Sequence, residues 1–155
     1  MADQAYLTSD GRDELERELE ELKLVRRPEL ALKLTEAVSM GDLKENADYH
    51  DAKEQLGFIE GRVKYIENIL RTAIVVENYR NNGIIGIGSK VTIVEDGTSD
   101  EEYYTIVGAA EANPSERKIS NESPIGAALI GHKKGEKVTA GTPGGSIIFK
   151  IKKVE

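Results

Sequence analysis

Cysteine and tryptophan are absent from the 155 residues. Without cysteine there can be neither a disulfide framework nor a thiolate zinc site, and nothing points to an oxidising compartment. Histidine occurs only twice, which argues against an imidazole-built metal centre. No run approaches the roughly 18 apolar residues of a membrane span. The opening residues show no basic segment followed by an apolar stretch, so a cytoplasmic protein with no membrane partner is expected. Positive charge is not in surplus either. The formal net charge is −7, with residues 1–77 carrying 11 Lys and Arg against 18 Asp and Glu, and residues 78–155 carrying 10 of each sign. Tight binding to nucleic acid needs cations to displace phosphate counterions, so any role beside nucleic acid has to come through a partner. Aromatic residues make up 5% and charged residues 32%, a balance suited to an elongated chain of long solvated helices with one modest core.

What is present divides into two halves of different period. Tyr49, Ala52, Leu56, Ile59, Val63, Ile66, Leu70 and Ala73 alternate steps of three and four, an unbroken heptad seam that needs a partner helix. The segment before it supplies Leu15, Leu19, Leu22, Leu30, Leu34 and Ala37, among Glu-rich outer positions. Thr8 or Asp10 is the expected N-cap of the first arm. Proline removes an intrahelical hydrogen bond, so Pro28 predicts a kink or register shift between Arg26 and Glu29 within a continuing helix. Antiparallel pairing would match Leu15 with Ala73, Leu19 with Leu70, Leu22 with Ile66, Leu30 with Ile59 and Ala37 with Ala52. The fold-back then lies near residue 44, with Gly41 as the helix-ending residue that accepts positive φ. Arms of about 26 residues at ~1.5 Å per residue give a hairpin on the order of 40 Å long.

Beyond Val76 the helical period stops. Asn81-Asn82-Gly83 reads as a linker or turn. Short β-branched runs follow at Lys90–Val94, Glu102–Val107, Lys137–Thr139 and Ser146–Val154, with turns at Asp96-Gly97 and Pro143-Gly144-Gly145. Ser123 through Gly131 reads as one short helix with Ser123 as N-cap and Pro124 in its first position. The expected fold class is α+β: an antiparallel coiled-coil hairpin over residues 1–77, then a small β-rich domain with one short helix over residues 78–155. His132, in a Gly-His-Lys-Lys loop, is expected to be solvent-exposed.

The expected hairpin tip carries Asp42, Glu45 and Asp48, with Asp51 a turn further on. Asp-Leu-Lys-Glu has the spacing of an acidic capping box, and carboxylates in a first helical turn complement the helix dipole. Capping therefore explains these residues locally, but capping does not require a long two-helix arm. Magnesium is commonly held by one or two carboxylates together with substrate phosphates. Two exposed acids at a tip form part of such a site, which a second protein would complete.

Val25-Arg26-Arg27-Pro28-Glu29, the run from Gly41 to His50, Gln55 to Arg62, Ser123-Pro124-Ile125 and Thr142-Pro143-Gly144-Gly145 occur in an order and spacing that resembles the GreA transcription elongation factors. The resemblance runs from about Leu7 to Val154. It implies a coiled coil followed by an FKBP-like domain that docks on RNA polymerase at its secondary channel. Asp42 and Glu45 are then the acids that help hold a catalytic Mg²⁺, shared with the polymerase, for cleavage of backtracked nascent RNA near its 3′ end. On this resemblance the factor is not itself an enzyme. Lys44, Asn46, Asp48 and Tyr49 are tip-contact candidates, although Asn46 also suits a turn amide and Tyr49 the apolar seam. Arg26, Arg27 and Lys53 are RNA-contact candidates, against the plainer reading of a charged helix face. Ser123, Pro124, Ile125 and Gly126 are polymerase-docking candidates. A monomer is expected, with weak pairing of two chains left open. A related inhibitor that fills the same channel without promoting cleavage, and a coiled-coil chaperone or adaptor, are the alternatives.

Overall fold

A computed structural model describes residues 5–77 and 83–155; Asn81 and Asn82 of the expected linker lie outside them. The described residues form two compact units, one from Arg12 to Thr72 and one that joins those up to Gly11 with those from Ala73 onward. The expected division into 1–77 and 78–155 therefore shifts at both ends of the hairpin. The cause is strand β1 (Tyr6–Thr8), which pairs in parallel with β2 (Ile74–Val76) and places Leu7, fully buried, in the second unit.

Helix α1 (Ser9–Glu21), whose first residues belong to the second unit and the rest to the first, starts at Thr8, whose Oγ1 accepts the Gly11 amide at 3.0 Å. Thr8 rather than Asp10 is thus the cap, satisfying one of the amides left unpaired in a first helical turn. The backbone stays right-handed helical through a π-helical stretch, Leu22–Arg26, and on into α2 (Arg27–Ser39), where Pro28 sits in the first turn. The Arg27 amide reaches back five residues to the Leu22 carbonyl. The expected irregularity at Arg26–Glu29 is found one turn earlier. A proline ring strikes the carbonyl four residues before it, here Leu24, so the wider turn opens on the N-terminal side of Pro28.

Helix α3 (Ala47–Thr72) buries Ala52, Ile59, Val63 and Ile66. Leu30, Ile59 and Val63 form the centre of the hairpin core, with Leu19, Leu22 and Leu56 packed around them. That arrangement contains the expected Leu30–Ile59 match. Ion pairs link the arms beside the seam: Lys23 with Glu67 at 2.5 Å, Arg27 with Glu60 at 2.7 Å, and Arg62 with Glu18 at 2.7 Å. The Arg62–Glu18 pair is two-pronged, with a second contact at 2.9 Å. These side chains are 37–46% exposed, so solvent screens the pairs and they add little to stability.

In the second unit, β3 (Lys90–Glu95), β4 (Glu101–Val107), β5 (Lys118–Ser120), β6 (Lys137–Thr142) and β7 (Gly145–Val154) form one sheet in the order β5-β4-β3-β7-β6. All neighbours are antiparallel except β4 and β5. Val91, Ile93, Ile106, Val138, Ala140, Phe149 and Ile151 supply the buried face, and Leu129 of α4 (Pro124–Leu129) packs with them. Asp96-Gly97 is a turn as expected, with Gly97 at φ 90; of the expected Pro143-Gly144-Gly145 turn, Pro143 and Gly144 form the turn and Gly145, at φ 118, opens β7. No helix is long and apolar enough to cross a membrane among the described residues.

Candidate functional site

The closed end of the hairpin is built by a sequence of backbone terminations. Helix α2 ends when the Met40 amide turns back to the Ala37 carbonyl at 3.1 Å. Gly41 then takes φ 130, a value that side-chain-bearing residues rarely adopt, which explains glycine there. Asp42 opens a single 3₁₀ turn, Leu43–Glu45, and its Oδ1 accepts the Lys44 amide at 3.0 Å.

Asn46 closes the turn with both ends of its side chain. Its Oδ1 accepts the Tyr49 amide at 3.0 Å and caps α3, while its Nδ2 donates to the Ala37 carbonyl at 2.6 Å and ties α3 back to α2. The His50 amide reaches the Asn46 carbonyl at 3.1 Å, and His50 Nε2 lies 3.3 Å from the Lys44 carbonyl oxygen. Asn46 therefore acts as the turn amide's partner, and His50 joins it as a second brace. An Asx residue directly before a helical run signals the cap; the tie to Ala37 has no sequence signal because it depends on the antiparallel register.

These braces fix the backbone beneath three exposed carboxylates. Asp42, Glu45 and Asp48, with Met40, Asn46 and Ala47, line one open depression. Asp51 is turned to other use, accepting from Gln55 Nε2 at 2.8 Å. Among the described residues no group of three or more His, Asp or Glu is arranged to hold a metal ion. The donor set suits a divalent cation in the limited sense that magnesium needs one or two protein carboxylates and takes its remaining ligands from water and phosphate. Asp42 and Glu45 fit that partial role.

The other candidates separate into structural and exposed groups. Lys44 is exposed at the tip. Tyr49 is half-buried, meets His50 edge-to-face at 5.3 Å between ring centroids, and carries the Lys53 ammonium 5.8 Å from its ring. Arg27 is held by Glu60 at 2.7 Å and 3.1 Å, whereas Arg26 is exposed. In the second unit, Ser123 caps α4 by accepting the Gly126 amide at 3.1 Å and donates to the Ser120 carbonyl at 2.6 Å. Gly126 is buried, and a Cβ there would lie 2.1 Å from the Ser120 carbonyl oxygen. Ile125 packs against the sheet core, leaving Pro124 as the exposed member of that group. His132 is only partly exposed and lies 3.7 Å from the Glu136 carboxylate.

Glu18 lies below the ordinary carboxylate value of 4.5 because the Arg62 guanidinium donates to it, and the same contact raises Arg62. The Lys23 ammonium likewise lowers Glu67. These shifts belong to the hairpin's flanks rather than its tip.

Comparison with known proteins covers both halves. Residues 5–75 match the family described as transcription elongation factor, N-terminal, and residues 80–155 match the family described as transcription elongation factor, GreA/GreB, C-term. The chain is 49% identical over 148 residues to the transcription elongation factor GreA of Bacillus subtilis (strain 168), covering 96% of this chain and 94% of that protein. It is 48% identical over 149 residues to the transcription elongation factor GreA of Listeria monocytogenes serotype 4b (strain CLIP80459), covering 96% and 93%. A solved structure titled GreA factor homolog 1 (Gfh1) protein of Thermus thermophilus is 29% identical, covers 99% of both chains and gives a TM-score of 0.46.

Proposed function

Because the chain belongs to the GreA/GreB family of transcription elongation factors, we propose that it is a transcript cleavage factor acting on RNA polymerase, with the hairpin tip as its working end. The tip enters the polymerase's secondary channel and stimulates the polymerase's own hydrolysis of backtracked RNA at the 3′ end. The protein is a factor rather than a nuclease, since the main active site belongs to the polymerase. The observation that carries this reading is the pairing of exposed Asp42 and Glu45 with a backbone held by the Asn46 bridge between the two arms. A carboxylate placed on a fixed turn reaches a reacting phosphate without first giving up conformational freedom.

Asp42 and Glu45 would hold a magnesium ion together with polymerase groups. When bound, such an ion lowers the pKa of water and stabilises charge on phosphoryl oxygens. The chain's own contribution is positional: the turn between α2 and α3 carries the two acids, Asp42 also caps the start of that turn, and Asn46 and His50 hold the turn closed. Arg26 and Lys53, exposed on the flanks, remain available for extruded RNA, while Arg27 is engaged with Glu60.

The test is stimulated cleavage in a stalled, backtracked elongation complex with Asp42→Ala and Glu45→Ala. Each variant is expected to lose stimulation while still binding polymerase in a pull-down. Full stimulation by both would refute the assignment, and absence of polymerase binding by the unaltered protein would favour an adaptor role instead.

A further inference from the structure

The strand registers give the sheet of the second unit a second, chemically distinct face. Opposite the buried face, Thr92 lies across from Tyr103 on β4 and from Lys153 on β7, Lys90 across from Thr105, Thr105 across from Lys118 on β5, and Val94 across from Lys150. Because residues directly opposite share a face, Lys90, Lys118, Lys150, Lys153 and Tyr103 all lie on this side of the sheet. Lys90, Tyr103, Lys150 and Lys153 are exposed. Lys118 pairs with Glu116 at 3.2 Å and Lys153 with Glu155, whose carboxylate also feels the Lys90 charge, whereas no carboxylate among the described residues forms an ion pair with Lys150. The register adds Glu101, across from Val94, and Lys137, across from Lys150, to this face, and Lys137 lies 3.7 Å from the Asp96 carboxylate.

Tyr103 is the centre of the patch. It is 48% exposed, with the Lys90 ammonium 4.8 Å and the Arg117 guanidinium 5.2 Å from its ring centroid. Arg117 is held there at φ 58, the sole non-glycine residue with positive φ among those described. An arginine in the left-handed region costs more than glycine would. Here the costlier residue sets a cation beside an exposed aromatic ring, and an observed backbone outlier of this kind is a pointer to function.

We infer that this sheet face, centred on Lys90, Tyr103 and Arg117, is a docking surface for an acidic protein segment. Tyrosine and arginine are the residue types that anchor protein interfaces, and the excess of cations over carboxylates on this face supplies complementarity to an acidic segment. A nucleic acid fits less well. Its charge is dense and continuous, and the chain as a whole carries −7, whereas a short acidic segment responds to the local field within about 8 Å at physiological salt. The inference does not rest on the tip or its acids.

Titration of the isotope-labelled full-length protein at ~0.15 M salt, followed through backbone amide shifts, tests this. The probes are an oligoglutamate peptide and an oligouridylate of equal length. The peptide is expected to give saturable shifts centred on residues 90–92, 103–105 and 117, and Lys90→Glu with Arg117→Glu should weaken it about tenfold. Arg117→Gly separates binding from folding, since it relieves the left-handed backbone, keeps the core shifts unchanged, and still weakens the peptide. Stronger shifts of the same amides by the RNA probe, shifts spread over hairpin lysines, no saturable response, or full binding by Arg117→Gly would each overturn the proposal.

Discussion

Asn46 offers the sharpest quantitative test of how the tip is built, because its two hydrogen bonds can be removed one at a time. Serine at this position keeps an oxygen able to cap α3 through the Tyr49 amide but is too short to reach the Ala37 carbonyl; alanine loses both contacts. The cap is worth ~1 kcal/mol. The tie to Ala37 is worth about 1 kcal/mol rather than a full desolvation penalty, because the Met40 amide still reaches that carbonyl at 3.1 Å. Asn46→Ser should therefore cost about 1 kcal/mol and Asn46→Ala about 2 kcal/mol. Urea unfolding followed by helical circular dichroism gives the totals. Amide exchange at Tyr49 and His50 gives the local effect, and exchange there should quicken more in the alanine variant. Equal values for both variants, or no change in either, would refute the assignment of two independent contacts.

Further expectations concern other links in the argument. Gly126→Ala should destabilise the second unit by about 2 kcal/mol or more in thermal unfolding, because the new methyl meets the Ser120 carbonyl oxygen at 2.1 Å and neither backbone segment yields easily. Phe149→Ala, which empties part of the sheet core, should cost about 3–5 kcal/mol by the same measurement. The Glu18–Arg62 link predicts a pH dependence of definite sign. Glu18 is lowered in the folded chain by the Arg62 hydrogen bond, so its contribution is present above the ordinary value of 4.5 and is lost as pH falls through the lower folded value. The stability difference between the unaltered protein and Arg62→Met should accordingly shrink on acidification below that point, and a gap independent of pH would contradict the link.

The sequence made the hairpin legible because a three-four spacing repeated without interruption on α3 admits one explanation, and the Leu30–Ile59 match followed from folding the two stripes together. The four longer strands were legible from β-branched runs between turns. Three short strands were not. Tyr6–Thr8 and Ile74–Val76 each span three residues and pair in parallel across the whole hairpin, and Lys118–Ser120 pairs in parallel with β4. A three-residue strand is too short to display a period of two, and its partner is set by tertiary packing. Pro28 announced a break in helical register but not on which side it would be absorbed. At the tip, Asp42, Glu45 and Asp48 could be read as caps or as ligands. Asp42 is indeed a cap, through Lys44, and this does not decide its second role, because one carboxylate oxygen suffices for the turn.

Asp42→Asn resolves that ambiguity most directly. The amide oxygen still accepts the Lys44 amide and the turn survives, but the negative charge is gone. Measured beside Glu45→Gln in the stimulated cleavage of backtracked RNA, with polymerase binding checked in parallel, both isosteric variants should bind normally and lose stimulation as completely as the alanine variants. Stimulation retained by Asp42→Asn would show that the residue only shapes the turn, and the tip's acids would not be the working groups.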